Sequence, residues 1–254
     1  MSPLFRSRPR TSGDPPSGNG ASSFHLTWML PPSEMLVEVA AQLEVVVPPV
    51  VDRLYFWALQ VSFLDGLADR GGAHVGLQWN RRHPDFGAVN WGGYRPGGGL
   101  LAGTDSPLPS TPRDPNTRDY PWQPGRPYRL RVSATPGSPG SWQGEVTDLA
   151  TGEATVVRHL LAGGDRLVRP MVWSEVFARC EHPSVIARWS GLEAVTVAGE
   201  RVVPRAVQVN YQARGAGGCD NTSAVVEPGG AGILQVTAAD RAVPQGAVVP
   251  LNPY

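Results

Sequence analysis

The chain has 254 residues with 22 basic and 22 acidic side chains, so its formal net charge is zero and no overall field favours nucleic acid, an anionic membrane or a strongly charged substrate. Glycine (30) and proline (26) make up more than a fifth of it, dispersed between apolar runs and not at every third position, which excludes a collagen-like chain and describes turns. No uninterrupted apolar run reaches the roughly 18 residues of a membrane span, because Glu38 and Glu44 break the best candidate.

Residues 1–23 are rich in Ser, Gly, Pro and Arg and carry almost nothing to bury, which predicts a disordered tail. Basic residues are present there without an apolar stretch directly behind them, so no conventional secretory signal is visible and a cytoplasmic home stays open. From Met35 to Val47 the odd positions are all apolar, whereas Glu38, Gln42 and Glu44 fall on even ones, the period of a strand. The pattern repeats at Tyr55, Trp57, Leu59, Val61 and Phe63. Phe56 and Ala58 on the opposite face predict a central strand covered on both sides.

Further strands are predicted over 73–80, 86–91, 128–134 and 141–148. Asp148 to Gly152 reads as a hairpin turn leading into 153–161. Runs at 168–177, 191–199, 206–212 and 232–238 complete about a dozen strands with no amphipathic helix among them. The expected fold is therefore all-β, an antiparallel jelly-roll sandwich. Three parts are expected: the tail 1–23, a sandwich over 24–200, and a C-terminal β extension over 201–254 packed on or following it. Residues 92–127 are too rich in Gly and Pro for regular structure, and loops of such length are often functional.

The stretches GGAHVGLQWN (71–80), FGAVNWGG (86–93) and MVWSEVFARC (171–180) resemble the bacterial family known as domain of unknown function 3472, with Gly76, Leu77, Gln78, Trp91, Ser174 and Glu175 at the matching positions. The C-terminal VNYQARGAGGCDNT (209–222), with Gln235, Thr237 and Arg241 downstream, resembles extensions on actinobacterial members. The resemblance implies a concanavalin-like sandwich, often in secreted or carbohydrate-related proteins, and carries no established activity.

Chemistry-bearing motifs are sparse. Gly97–Gly99 lacks a following Lys-Ser/Thr, the five histidines are scattered, and no Gly-x-Ser-x-Gly elbow is present. Asp105, Asp114, Asn116 and Asp119 share the long loop and could hold calcium, but turn formation explains them more simply, so no cofactor is expected. Glu175, between aromatic residues, is the one candidate acid for catalysis. Cys180 and Cys219, the only cysteines, are expected to pair in an oxidising compartment.

The expected function is non-enzymatic carbohydrate binding beside the 92–127 loop, with Trp91, Tyr94 and Trp122 supplying apolar surface and Gln78, Asn80 and Asn90 polar contacts. Alternation limits that site: if Trp79 faces the core, Gln78 and Asn80 face the ligand. The alternatives are a glycan-active hydrolase or lyase using Glu175, and a structural domain that contacts another protein; neither nucleic acid nor a membrane is an expected partner.

Overall fold

The structure is a computed structural model that describes residues 8–31 and 35–252. Strands, numbered in chain order, form two facing sheets with every pairing antiparallel. The first sheet runs in space β16 (Val248–Pro250), β13 (Ala206–Tyr211), β1 (Ser22–Met29) and β10 (Arg166–Val176). It continues through β3 (Tyr55–Asp65), β4 (Ala68–Trp79), β5 (Gly87–Tyr94) and β6 (Thr117–Asp119). The second runs β14 (Thr222–Val226), β15 (Gly232–Thr237), β11 (Ile186–Thr196) and β2 (Leu36–Val47), then β7 (Pro127–Ala134), β8 (Ser141–Asp148) and β9 (Ala154–Leu161). The short β12 (Arg201–Val202) lies against β11, and one pair, Leu36 with Leu167, stitches β2 to β10. This is the expected all-β antiparallel jelly-roll sandwich, most of its strands those that the alternation predicts and its plan concanavalin-like, as the resemblance implies.

The core follows from that alternation. Val39, Ala41, Leu43 and Val45 of β2 are buried between the sheets, as are Tyr55, Trp57, Leu59, Val61 and Phe63 of β3 and Leu130 and Val132 of β7. Each large apolar side chain so buried contributes about 1.5–3 kcal/mol. Polar side chains also cross this layer, Gln235 with the most bonds to both sheets. Gln235 of β15 accepts hydrogen bonds from Ser174 Oγ (2.7 Å) and Trp189 Nε1 (2.8 Å) and donates to the Phe24 carbonyl (2.8 Å), joining both sheets.

Three expectations about the chain's organisation change. Residues 8–21, expected within a disordered tail, are held by polar contacts with distant parts of the chain. The Arg10 amide donates to Asp220 Oδ2 (2.6 Å), its Nη1 to the Arg214 and Gly218 carbonyls (2.8 and 2.9 Å), and the Cys180 amide to the Gly13 carbonyl (2.9 Å). Hydrogen bonds spanning the chain leave no trace in local composition. Ser22 and Ser23, also expected in the tail, begin β1, and residues 1–7 lie outside the described residues. The expected C-terminal extension is integral: β13 and β16 extend the first sheet beyond β1, and β14 and β15 extend the second beyond β11. Within 92–127, expected to be irregular, β6 adds an edge strand to β5, and Gly103 bridges to Leu160.

Cys180 and Cys219 are joined in a disulfide with a Cα–Cα distance of 5.6 Å, closing a separation of 39 residues. At the hairpin after β8, the Gly152 amide donates to the Asp148 carbonyl (2.7 Å), and Gly152 takes a positive φ of 78°.

Candidate functional site

The outer faces of the two sheets differ in kind. On the second sheet Arg131 bridges Glu38 and Glu145, Arg129 contacts Glu193 and Glu38, and Arg188 contacts Glu227 and Glu44. That ladder of cross-strand pairs satisfies its own charges. The outer face of the first sheet holds a groove of about 520 Å³ instead.

Strand alternation builds the groove in rows. In one row Ser23 of β1 pairs with Glu175 of β10, Glu175 with Phe56 of β3, Phe56 with Gln78 of β4 and Gln78 with Ala88 of β5. The next row along the strands reads His25, Trp173, Ala58, Gly76 and Asn90, and the third carries Met171, Gln60 and His74. Small residues, Ala58 and Gly76, form the floor between the Trp173 wall and Asn90. Gly76 cannot be larger, since a Cβ there would stand 2.1 Å from the Trp57 carbonyl oxygen.

Phe56, Ala58 and Trp173 make a hydrophobic cluster of their own, separate from the main core. The Trp173 ring meets Phe56 (4.9 Å between centroids) and His74 (5.4 Å) edge-on, with His25 at 6.3 Å. Burial among these rings pushes His74 down to about 4, and burial also lowers His25 against an opposing hydrogen bond to the Asn210 backbone. Both are neutral imidazoles at pH 7.

The polar groups are half tied and half open. Gln60 Oε1 accepts from Trp173 Nε1 (2.9 Å), and Gln78 Oε1 accepts from Asn80 Nδ2 (2.9 Å). Neither Gln60 Nε2 nor Gln78 Nε2 has a partner among the described residues, so each is a free donor. Asn90 Nδ2 donates to Thr117 Oγ1 (2.9 Å), whereas its Oδ1 is buried without a partner. Glu175 is the only acidic residue lining the groove, and no cation pairs with it among the described residues. Burial raises its pKa, and a hydrogen bond from Asn19 Nδ2 to its Oε1 (2.7 Å) opposes the rise.

Of the six residues expected to bind ligand, Gln78, Asn90 and Tyr94 line this groove, Tyr94 standing 53% exposed at its rim, and Glu175 joins them from β10. Trp91 does not. It points inward from β5, 0% exposed, with its ring against Gly144. Trp122 is buried too, in edge contact with Trp57 (5.7 Å) and donating Nε1 to the Gln78 carbonyl (2.8 Å). The expectation that both supply ligand surface is corrected: their rings fill apolar space that the sandwich would otherwise leave empty, and Trp122 props the strand behind Gln78. Asn80 sits past the end of β4 and acts on the groove only through Gln78. Trp79 stacks on Phe86 (4.5 Å) and packs against the core, which puts Gln78 on the groove side.

Asp114, Asn116 and Asp119 of the long loop spend side-chain oxygens on neighbouring protein groups, whereas Asp105 uses only its backbone carbonyl among the described residues. Asp114 Oδ1 accepts from the Asn116 and Thr117 amides (2.8 and 3.2 Å), and Asn116 Oδ1 from Arg158 (3.2 Å). Asp119 lies 2.6 Å from His83 Nδ1; burial works against its carboxylate, but hydrogen bonds from Thr111 and His83 outweigh it and lower its pKa. These are turn and clamp contacts. Among the described residues no three His, Cys, Asp or Glu side chains gather as a metal site would require.

Sequence reasoning missed Asn19, His25, Gln60 and His74. His74 and Gln60 were legible as polar residues on the outward face of apolar strands. Asn19 comes from the supposed tail and left no signal.

No family model matches the chain, and no curated protein matches it. Among solved structures it is similar to scytalido-glutamic peptidase in complex with a peptide-based transition-state analogue, at 12% identity and a TM-score of 0.49, covering 84% of this chain and 97% of that one. It is also similar to SCP-B, a member of the eqolisin family of peptidases bound to the tripeptide Ala-Ile-His, at 12% identity and a TM-score of 0.47 over the same shares. The enzymatically active domain of bacteriophage CBA120 tailspike protein 2 matches 73% of this chain and 24% of that one, at 15% identity and a TM-score of 0.28. At these identities the likeness concerns the fold alone.

Proposed function

We propose that the groove on the first sheet binds a neutral, hydroxyl-rich ligand, a carbohydrate chain, without turning it over. One observation carries this reading: around aromatic walls stand carboxamides tied at one end and open at the other, with no ion pair in the groove among the described residues. Sugar hydroxyls both donate and accept, so they suit the Gln60 and Gln78 donors together with the unpartnered Asn90 Oδ1. Tyr94 at the rim offers a face to sugar C–H groups. The resemblance to domain of unknown function 3472 rests on short motifs and adds no activity to the reading.

The raised pKa of Glu175 favours a second reading, hydrolysis. Glycoside hydrolysis ordinarily needs two carboxylates, and the groove offers one. A lone carboxyl with amide donors nearby suits a different step: Glu175 takes a proton from water as it attacks an amide carbonyl, the Gln78 or Gln60 N–H stabilises the developing oxyanion, and Glu175 gives the proton to the leaving amine as the C–N bond breaks. That reading extends the candidate bonds from glycans to peptides.

Neutral oligosaccharide arrays and a mixed peptide library, each followed by product analysis, separate the readings. Binding of glycans without products, weakened by Gln78→Ala and Asn90→Ala, is the expected result. Products lost in Glu175→Gln favour hydrolysis. Neither binding nor products favours a structural domain that contacts another protein.

A further inference from the structure

The segment before β1 reaches the groove at one point, and that point is its only carboxylate. Ser17 to Gly20 form a tight turn in which the Gly20 amide donates to the Ser17 carbonyl (3.0 Å). Within it Asn19 Oδ1 accepts from the Ala21 amide (3.1 Å), and the Ser17 hydroxyl lies 3.0 Å from the same oxygen while donating to the Ala21 carbonyl (2.6 Å). With its oxygen so engaged, Asn19 can offer only its amide group outward, and Nδ2 donates to Glu175 Oε1 at 2.7 Å.

The segment is clipped on both sides of Asn19 by the two disulfide-bonded residues: the Cys180 amide donates to the Gly13 carbonyl (2.9 Å) and the Cys219 amide to Ser22 Oγ (2.9 Å). Between the clips Gly217 lies so close that a Cβ would stand 2.3 Å from the Ser17 nitrogen.

We propose that Asn19 is a positioning residue: it holds Glu175 Oε1 from outside the sheet and leaves Oε2 as the acceptor turned to the ligand. The inference rests on the groove being the binding site. A donor aimed at the ionised form favours carboxylate over carboxylic acid, so Asn19 keeps a half-buried acid in use as an acceptor. Among the described residues no other hydrogen bond reaches the Glu175 carboxylate. The groups around Glu175 are Ser23 on β1, Phe56 on β3, and His25 and His74 across the groove, the two imidazoles being neutral at pH 7.

The test needs no ligand. Carboxyl ¹³C resonances of glutamate are followed by NMR against pH, Glu175 being assigned by its disappearance in Glu175→Gln. Asn19→Asp preserves the acceptor oxygen of the turn but replaces the donor by a like charge; Asn19→Ala removes both. The expected result is a rise in the Glu175 midpoint of about 0.5–1 pH unit in Asn19→Ala and a larger rise in Asn19→Asp. Gly217→Ala, which displaces the turn without touching the groove, is expected to raise it as well. Midpoints unchanged in both Asn19 variants overturn the inference, as does a shift in Gly217→Ala alone. Shifted midpoints in a protein that binds no oligosaccharide show that Asn19 holds the Glu175 carboxylate, but defeat the binding reading and with it the role of Oε2 as the ligand's acceptor.

Discussion

Gln235→Leu tests how the two sheets are joined. Gln235 is 1% exposed and spends three hydrogen bonds on Trp189, Ser174 and Phe24, which belong to β11, β10 and β1. Leucine fills similar volume but leaves the Trp189 indole N–H without a partner in a dry layer, while the Ser174 hydroxyl can turn to another acceptor and the Phe24 carbonyl keeps its ladder partner on β10. An unsatisfied buried group costs about 1–3 kcal/mol, so one of them, plus the lost bonds, predicts about 2–4 kcal/mol of destabilisation. For a chain of this length that lowers Tm by about 10 °C. Urea unfolding followed by tryptophan fluorescence and circular dichroism measures it.

Gln235→Glu sharpens the reasoning. The acceptor for Trp189 survives, but the carboxyl can donate to Phe24 only when protonated, which places its folded pKa above its unfolded one. Native protein then binds more protons, and stability falls as pH rises above the ordinary glutamate value of about 4.3. A loss under about 1 kcal/mol in Gln235→Leu at unchanged m, or a pH-independent Gln235→Glu, refutes the claim that these bonds hold the sheets in register.

Acidification is expected to destabilise the fold through His74. Between about 4, where burial has pushed it, and its ordinary 6.5 the unfolded chain binds a proton that the native state does not, so stability is full above 6.5 and falls as pH drops through that window. His74→Gln should flatten the dependence of Tm on pH there, and an unaltered slope counts against the assignment. Gly76→Ala should lower stability sharply, since its Cβ would meet backbone at 2.1 Å and 2.7 Å on the neighbouring strand; thermal unfolding within 1 °C of wild type would contradict the packing. Replacing Cys180 and Cys219 by Ser removes a crosslink spanning 39 residues and should cost about 4 kcal/mol in urea unfolding under the chain-entropy argument, with no loss meaning the loop is already constrained in the unfolded chain.

Local alternation was enough to establish the sandwich. Odd positions of 39–45 and 55–63 are apolar because a pleated strand sends them all to one side, so the core of β2 and β3 could be read directly over that span. At the ends of 35–47 the rule fails, Leu36 being buried while Met35 and Val47 are exposed. Phe56 and Ala58 foretold the apolar outer face of β3. The same rule placed Gln78 opposite Trp79, and the aromatic setting of Glu175 marked it as a candidate. Period-2 patterning says which residues share a face but not which strands are neighbours or which tryptophans fill the space between sheets. Trp91 and Trp122 therefore read as surface beside a long loop, although pairing of β4 with β5 and the inward turn of 122 bury them. Only tertiary structure sets β10 between β1 and β3, which brings Glu175 across Phe56 to Gln78, and only it lays residues 8–21 along the disulfide so that Asn19 reaches that carboxylate. The contacts of Glu175 with Ser23, Phe56 and Asn19 each join residues more than a hundred positions apart, and a pattern that repeats every two residues carries no information over such a span.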